Sequence, residues 1–108
     1  MILKNPNHHV ILGIEESKII SSCVITVIYN LTHGQRPYGL VENVITDENY
    51  RNKGYGTKLL DYAKELAIRE NCYKMMLLTG SKSESILNFY KKAGYNSTDK
   101  TGFIQWLV

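Results

Sequence analysis

The hexapeptide Arg51-Asn52-Lys53-Gly54-Tyr55-Gly56 stands between an apolar run over residues 40–45 and a stretch over residues 57–69 whose apolar positions recur at helical spacing. A strand passing to a helix through a glycine-bearing turn sets the chain in the α/β class. Free backbone N–H groups gather at the positive end of such a helix, where they can hold a phosphate. A phosphorylated ligand is therefore expected here, although Gly-x-Gly beside a helix also serves as an ordinary turn. Two nucleotide-binding patterns are excluded by spacing. A dinucleotide fingerprint needs a third glycine where Leu59 stands and an acid closely after the next strand, and a Walker loop needs Gly-Lys-Ser or Gly-Lys-Thr where Gly56-Thr57-Lys58 stands.

Around this turn the chain alternates strand and helix signals. Residues 10–14 are a short apolar run ending at Glu15-Glu16-Ser17-Lys18, which predicts a hairpin turn. Residues 19–29 carry Val24, Ile25, Val27 and Ile28, the β-branched composition of a strand. A polar loop over 30–37 leads to a third strand over 38–46, completing an antiparallel meander. From Thr57 the period lengthens, and Leu59, Leu60, Ala63, Leu66 and Ala67 form one apolar stripe while Lys58, Asp61, Lys64 and Glu65 face water. Asn71 ends this helix. Residues 73–79 predict a strand covered on both faces, completing a right-handed crossover. A second helix over 83–92 is capped by Gly94, and residues 103–108 predict a last strand. The fold class is α/β with a mixed α+β sheet, a three-strand antiparallel meander followed by helix, strand, helix and strand, in one domain over 1–108.

Composition narrows the function. With 108 residues and 44% hydrophobic content, the chain is sized for one soluble globular domain. No apolar run approaches the roughly 20 residues of a membrane span, and the start lacks an export signal, so no membrane is expected as partner and the cytoplasm is the expected location. The net charge of +3 gathers between Arg51 and Lys74, around the proposed phosphate turn and its helix, which favours an anionic ligand. No dense basic stripe interleaves with aromatics, so nucleic acid is not expected as a partner. Cys23 and Cys72 fit buried free thiols better than a disulfide scaffold. His8 and His9 are expected on the surface, and no cluster has metal-ligand spacing.

The segment from Glu42 to Leu60, with Arg51-Asn52-Lys53-Gly54-Tyr55-Gly56 at its centre, resembles motif A of the GCN5-related N-acetyltransferases, whose signature is Arg/Gln-x-x-Gly-x-Gly/Ala. The segment Asn88-Phe89-Tyr90-Lys91-Lys92-Ala93-Gly94-Tyr95 resembles the ending of that family's motif B. The resemblance covers residues 10–108. It implies a truncated acyl-CoA N-acyltransferase fold, in which the family's first strand and two helices are missing or reduced and its last pair of strands is cut short. A homodimer could fill the gap.

By this resemblance acetyl-CoA would lay its pyrophosphate over Arg51, Asn52, Lys53, Gly54, Tyr55, Gly56 and Thr57, with amides from Asn52 to Thr57 donating. A bulge in the preceding strand would let the pantetheine arm pair with the backbone of Asn43, Val44 and Thr46. Ser83 occupies a position where many members carry asparagine to hold that arm, and Asn88 on the same helix could compensate. Tyr90 matches the motif B tyrosine and would donate its proton, or a hydrogen bond, to the CoA sulfur. Glu42 is the best candidate base, ahead of His33 in the polar loop. The implied activity is direct transfer of an acetyl group to a primary amine on a small molecule or peptide. The alternative is a non-catalytic acyl-CoA-binding or regulatory module.

Overall fold

The computed structural model describes residues 6–108. Six regular elements run in the order β1 (His8–Glu15), β2 (Lys18–Ile28), β3 (Tyr38–Thr46), α1 (Tyr55–Arg69), β4 (Met75–Leu77) and α2 (Glu84–Lys92). Residues through Leu78 form one compact unit and Thr79–Val108 a second.

In the first unit the sheet order is β1-β2-β3-β4. β1 and β2 pair antiparallel through a two-residue turn in which Glu16 (φ 49°) and Ser17 (φ 65°) both take the left-handed conformation of a tight hairpin. β2 and β3 also pair antiparallel, whereas β3 and β4 are parallel, as expected of two strands joined through a helix. The sheet is thus mixed, and the class is the α/β one that the sequence indicates.

One face of this sheet carries the core. Ile11, Ile20, Cys23, Ile25, Val27 and Val41 are buried on the strands, and Leu59, Leu60, Ala63, Leu66 and Ala67 are buried on α1. That helical set is the apolar stripe seen in the sequence. Burying it against the sheet supplies most of the helix's stability, because apolar area removed from water contributes about 25 cal/mol per Å² and isolated helices of this length are marginal. α1 ends where Asn71 takes φ 64° and its N–H donates to the Ile68 carbonyl, while the Cys72 N–H donates to the Ala67 carbonyl.

Several expectations need correction. β1 begins at His8, so His8 and His9 lie half-buried in a ladder, paired with Thr26 and Ile25, and not on the open surface. α1 starts at Tyr55, two residues earlier than the period suggests, because the Gly54 carbonyl already accepts from the Lys58 N–H at 3.1 Å. β4 is only three residues long and is not covered on both faces, with Met76 37% and Leu78 75% exposed. Its short ladder with β3 leaves it at the sheet edge.

The second unit holds α2. Ser83 is its N-cap residue, and its C-terminus closes with Gly94 at φ 102°. The Gly94 N–H donates to the Lys91 carbonyl and the Tyr95 N–H to the Tyr90 carbonyl, the paired bonds of a Schellman ending. The predicted strand over residues 103–108 does not form: these residues have no regular structure, and Phe103 is 95% and Trp106 78% exposed. Phe, Ile, Trp and Val favour strands only where a neighbouring strand pairs with them, and none does among the described residues.

Candidate functional site

Two features of β3 mark a candidate site at its carboxyl end. The β3–β4 ladder pairs Gly39, Leu40 and Val41 with Met75, Met76 and Leu77 and stops there. Immediately beyond, the β2–β3 register shifts between Ser22 paired with Ile45 and Val24 paired with Glu42, which inserts one extra residue into β3. Asn43, within the bulge, takes φ 56°, a conformation that asparagine tolerates better than most residues. From Glu42 to Thr46 the edge of β3 facing away from β2 has no strand partner among the described residues. Backbone N–H and C=O groups on such an edge can pair with an extended ligand.

After Thr46 the chain takes a short capped turn. The Asp47 carboxylate accepts from the Asn49 N–H at 2.9 Å, opening a single 3-10 turn over Glu48–Tyr50. Asp47 is itself pinned to β2, its N–H donating to the Ile20 carbonyl at 2.7 Å. Arg51 then folds back, its Nε donating to the Thr46 carbonyl at 3.1 Å. Asn52 (φ 62°) and Gly54 (φ 85°) are both left-handed, reversing the chain into α1. With Gly54 as N-cap, the first backbone N–H with an intrahelical acceptor belongs to Lys58. The N–H groups of Gly54, Tyr55, Gly56 and Thr57 are therefore the four orphan donors of the helix start, at the end of a 15-residue helix where its dipole is positive.

Side chains both distant and near in sequence brace this turn. The Tyr55 hydroxyl donates to the Glu15 carboxylate at the end of β1. That hydrogen bond, with lesser desolvation and the neighbouring charge of Glu15, raises the Tyr55 pKa above the ordinary tyrosine value, so the hydroxyl keeps its proton. Tyr50 meets the Tyr55 ring edge-on at 5.9 Å, and the ammonium groups of Lys18 and Lys53 lie 5.7 and 5.5 Å from the Tyr50 ring centre. Nothing in the sequence marks Glu15 or Lys18 as neighbours of the turn, whereas Tyr50 adjoins it in the chain. The one available signal is Tyr55, a large side chain with a polar tip between two glycines, which calls for a hydrogen-bond partner.

The predicted residues of the first unit fall together along one path. Glu42 is exposed on β3 beside the bulge, Asn43, Val44 and Thr46 follow on the unpaired edge, and Arg51 to Thr57 form the turn and helix start. Arg51 is committed to the Thr46 carbonyl, which makes it a brace of the turn first and a source of charge second. His33 does not join them. It lies in the loop before β3, at the opposite end of that strand, roughly 25 Å away along an extended nine-residue strand. There it stacks on Tyr73 at 4.1 Å with its Nδ1 3.0 Å from Thr32 Oγ1. That loop is also tied to the end of α1 by Arg36, whose guanidinium donates to the carbonyls of Asn71 and Cys72.

Ser83, Asn88 and Tyr90 belong to the second unit. Ser83 makes no side-chain cap; its Oγ lies 2.9 Å from Ser85 Oγ. Asn88 is exposed on α2, and Tyr90 is half-buried between Phe89 and Tyr95, with ring centres at 5.1 and 6.4 Å. No group of three or more metal-ligating side chains occurs among the described residues. No helix among them is long and apolar enough to cross a membrane.

Comparison with known proteins gives the family. Residues 1–95 match the family model described as Acetyltransferase (GNAT) family. The glucosamine 6-phosphate N-acetyltransferase of Trypanosoma brucei brucei is 31% identical over 83 residues, covering 77% of this chain and 54% of that protein. The chain spans about half the length of the curated relatives it matches. A solved structure from Agrobacterium tumefaciens str. C58 superposes with a TM-score of 0.91 at 36% identity, covering 97% of this chain and 72% of that one. The glucosamine-6-phosphate N-acetyltransferase structure from Arabidopsis thaliana superposes at 0.83 with 22% identity, over 94% and 68% of the two chains, a likeness of fold.

Proposed function

Because the chain belongs to the GNAT family of acetyltransferases, we propose that it transfers an acetyl group from acetyl-CoA to the primary amine of an acceptor, and that a phosphorylated amino sugar is the acceptor class to test first. The observation that carries this reading is the continuity of an unpaired strand edge with an open amide turn. The β3–β4 ladder ends at Val41, a bulge follows at Asn43, and four orphan N–H groups stand where the strand's extension enters α1. An extended amide-bearing arm fits the first part of that path and a pyrophosphate fits the second. The amino-sugar class rests on the names of the curated relatives from Trypanosoma brucei brucei and Dictyostelium discoideum.

In this mechanism the backbone of Asn43, Val44 and Thr46 aligns the arm. One lone pair of the Thr46 carbonyl is already taken by Arg51. The N–H groups from Gly54 to Thr57 hold the diphosphate, with Asn52 and Lys53 at its flank. Acetyl-CoA supplies the thioester carbonyl that the amine attacks. Glu42, exposed on β3, takes the proton that the amine loses as its new C–N bond forms. Tyr90, Ser83 and Asn88 enter by the family resemblance alone, Tyr90 as proton donor to the departing thiolate and Ser83 and Asn88 as contacts for the arm. The mechanism uses no cysteine nucleophile: Cys23 is fully buried, and burial raises its thiol pKa to about 11, while Cys72 follows the carboxyl end of α1, away from the amide turn, and burial raises its pKa as well.

The test is calorimetric titration with acetyl-CoA and CoA of the native chain and of Gly56→Glu, which places a bulky anion in the amide row. The native chain binds and the variant does not. A thiol-release assay with glucosamine 6-phosphate and other amines follows, in which Glu42→Gln lowers kcat by about 10²–10⁴ with little change in acetyl-CoA affinity. No binding by the folded native chain refutes the enzyme. Binding without acetylation of any amine leaves an acyl-CoA-binding module.

A further inference from the structure

Helix starts attract carboxylates as readily as they attract phosphates. The hairpin brings Glu15 against Tyr55 at the start of α1, and a free carboxylate there would compete with a phosphate for the orphan N–H groups or repel it. Glu15 is not free. The hydroxyl of Tyr55, a residue whose own N–H belongs to the orphan row, donates to Glu15 Oε2 and holds the carboxylate. Tyr55 is fixed in turn by the edge of Tyr50, over which Lys18 and Lys53 are held, so two positive charges stand in the same cluster. Among the described residues neither lysine forms an ion pair with a carboxylate.

We infer that Tyr55 and Glu15 are positioning residues for the anion site: the tyrosine hydroxyl latches the Glu15 carboxylate on the hairpin and so keeps the amide row open to the diphosphate of the acyl donor. The inference rests on the acetyl-CoA reading above and adds a dependence that main-chain recognition alone does not contain. Tyr55 acts through its side chain on Glu15 and through its N–H on the ligand. Removing the hydroxyl leaves the ring and the backbone in place but releases a negative charge beside the site.

The experiment is a double-mutant cycle on the full chain, titrated with acetyl-CoA and with S-acetylpantetheine, which carries no phosphate. Tyr55→Phe weakens acetyl-CoA binding about fivefold, the size of one charge at a helix end, and leaves S-acetylpantetheine unchanged. Glu15→Gln alone binds acetyl-CoA at least as well as the native chain. The double variant Glu15→Gln/Tyr55→Phe returns to native affinity, since a neutral amide has no charge to release. A purely structural tether predicts the opposite, with the double variant as weak as Tyr55→Phe for both ligands, and that result overturns the latch. Equal acetyl-CoA affinity of native chain and Tyr55→Phe overturns it as well while leaving the acetyl-CoA reading standing. Failure of the native chain to bind acetyl-CoA overturns both.

Discussion

Replacing Gly54 separates what the amide turn demands of the backbone from what it demands of space. Gly54 is the N-cap of α1, with φ 85° and ψ 2°, and a Cβ built on it meets no atom within 4 Å. An alanine therefore encounters no clash, and its cost is conformational: an L-residue in the left-handed region loses about 1–2 kcal/mol. Stiffening the unfolded chain offsets about 0.4–1 kcal/mol of this. The expected net loss for Gly54→Ala is about 1 kcal/mol. Asparagine adopts this region more readily, as it does here at positions 43, 52 and 71, so Gly54→Asn loses less than about 0.5 kcal/mol. Gly54→Val, branched at Cβ, loses more than alanine. Urea denaturation with an unchanged slope reads these differences directly. A loss above about 3 kcal/mol for alanine would mean a steric demand absent from this geometry. An asparagine variant no more stable than the alanine variant would refute the conformational account outright.

Three further outcomes follow from burial. Leu60, 2% exposed at the centre of the helix–sheet contact, loses about 2–5 kcal/mol on truncation to alanine, measured by the same denaturation. Cys23 titrates about 11 in the folded chain against 9.0 ordinarily, so its contribution to stability is complete below about pH 9 and is lost as pH rises through about 11. The stability of the native chain should fall more steeply across that window than that of Cys23→Ala; parallel curves would show that the thiol's burial does not matter to its titration. Trp106, 78% exposed in a segment without regular structure, should change unfolding free energy by less than about 0.5 kcal/mol when replaced by serine, and a loss of core size would restore a strand there.

The features legible in the sequence share a physical origin in local pattern. The stripe Leu59, Leu60, Ala63, Leu66 and Ala67 announces both a helix and the face it buries, because helical periodicity and burial are the same geometric fact. The turn at Glu16-Ser17, the αL ending at Gly94 and the strand over Tyr38–Thr46 are likewise local. The path from Glu42 to Thr57 was visible because its residues are consecutive. Failures fell where a partner decides the outcome. Residues 103–108 have strand-forming side chains and no ladder among the described residues, and β4 is cut to three residues by the end of its pairing with β3.

The sequence by itself determined the order of elements, the apolar face of α1 and the glycine-bearing turn, since each depends on residues within a few positions of one another. The tertiary structure alone decided where the β3–β4 ladder stops and that Glu15, 40 residues from Tyr55 along the chain, receives its hydroxyl. Periodicity carries no information about which distant side chain a folded sheet brings to a helix start. Hydrogen bonds and charges act over a few ångströms of space, whatever number of residues separates them in the chain.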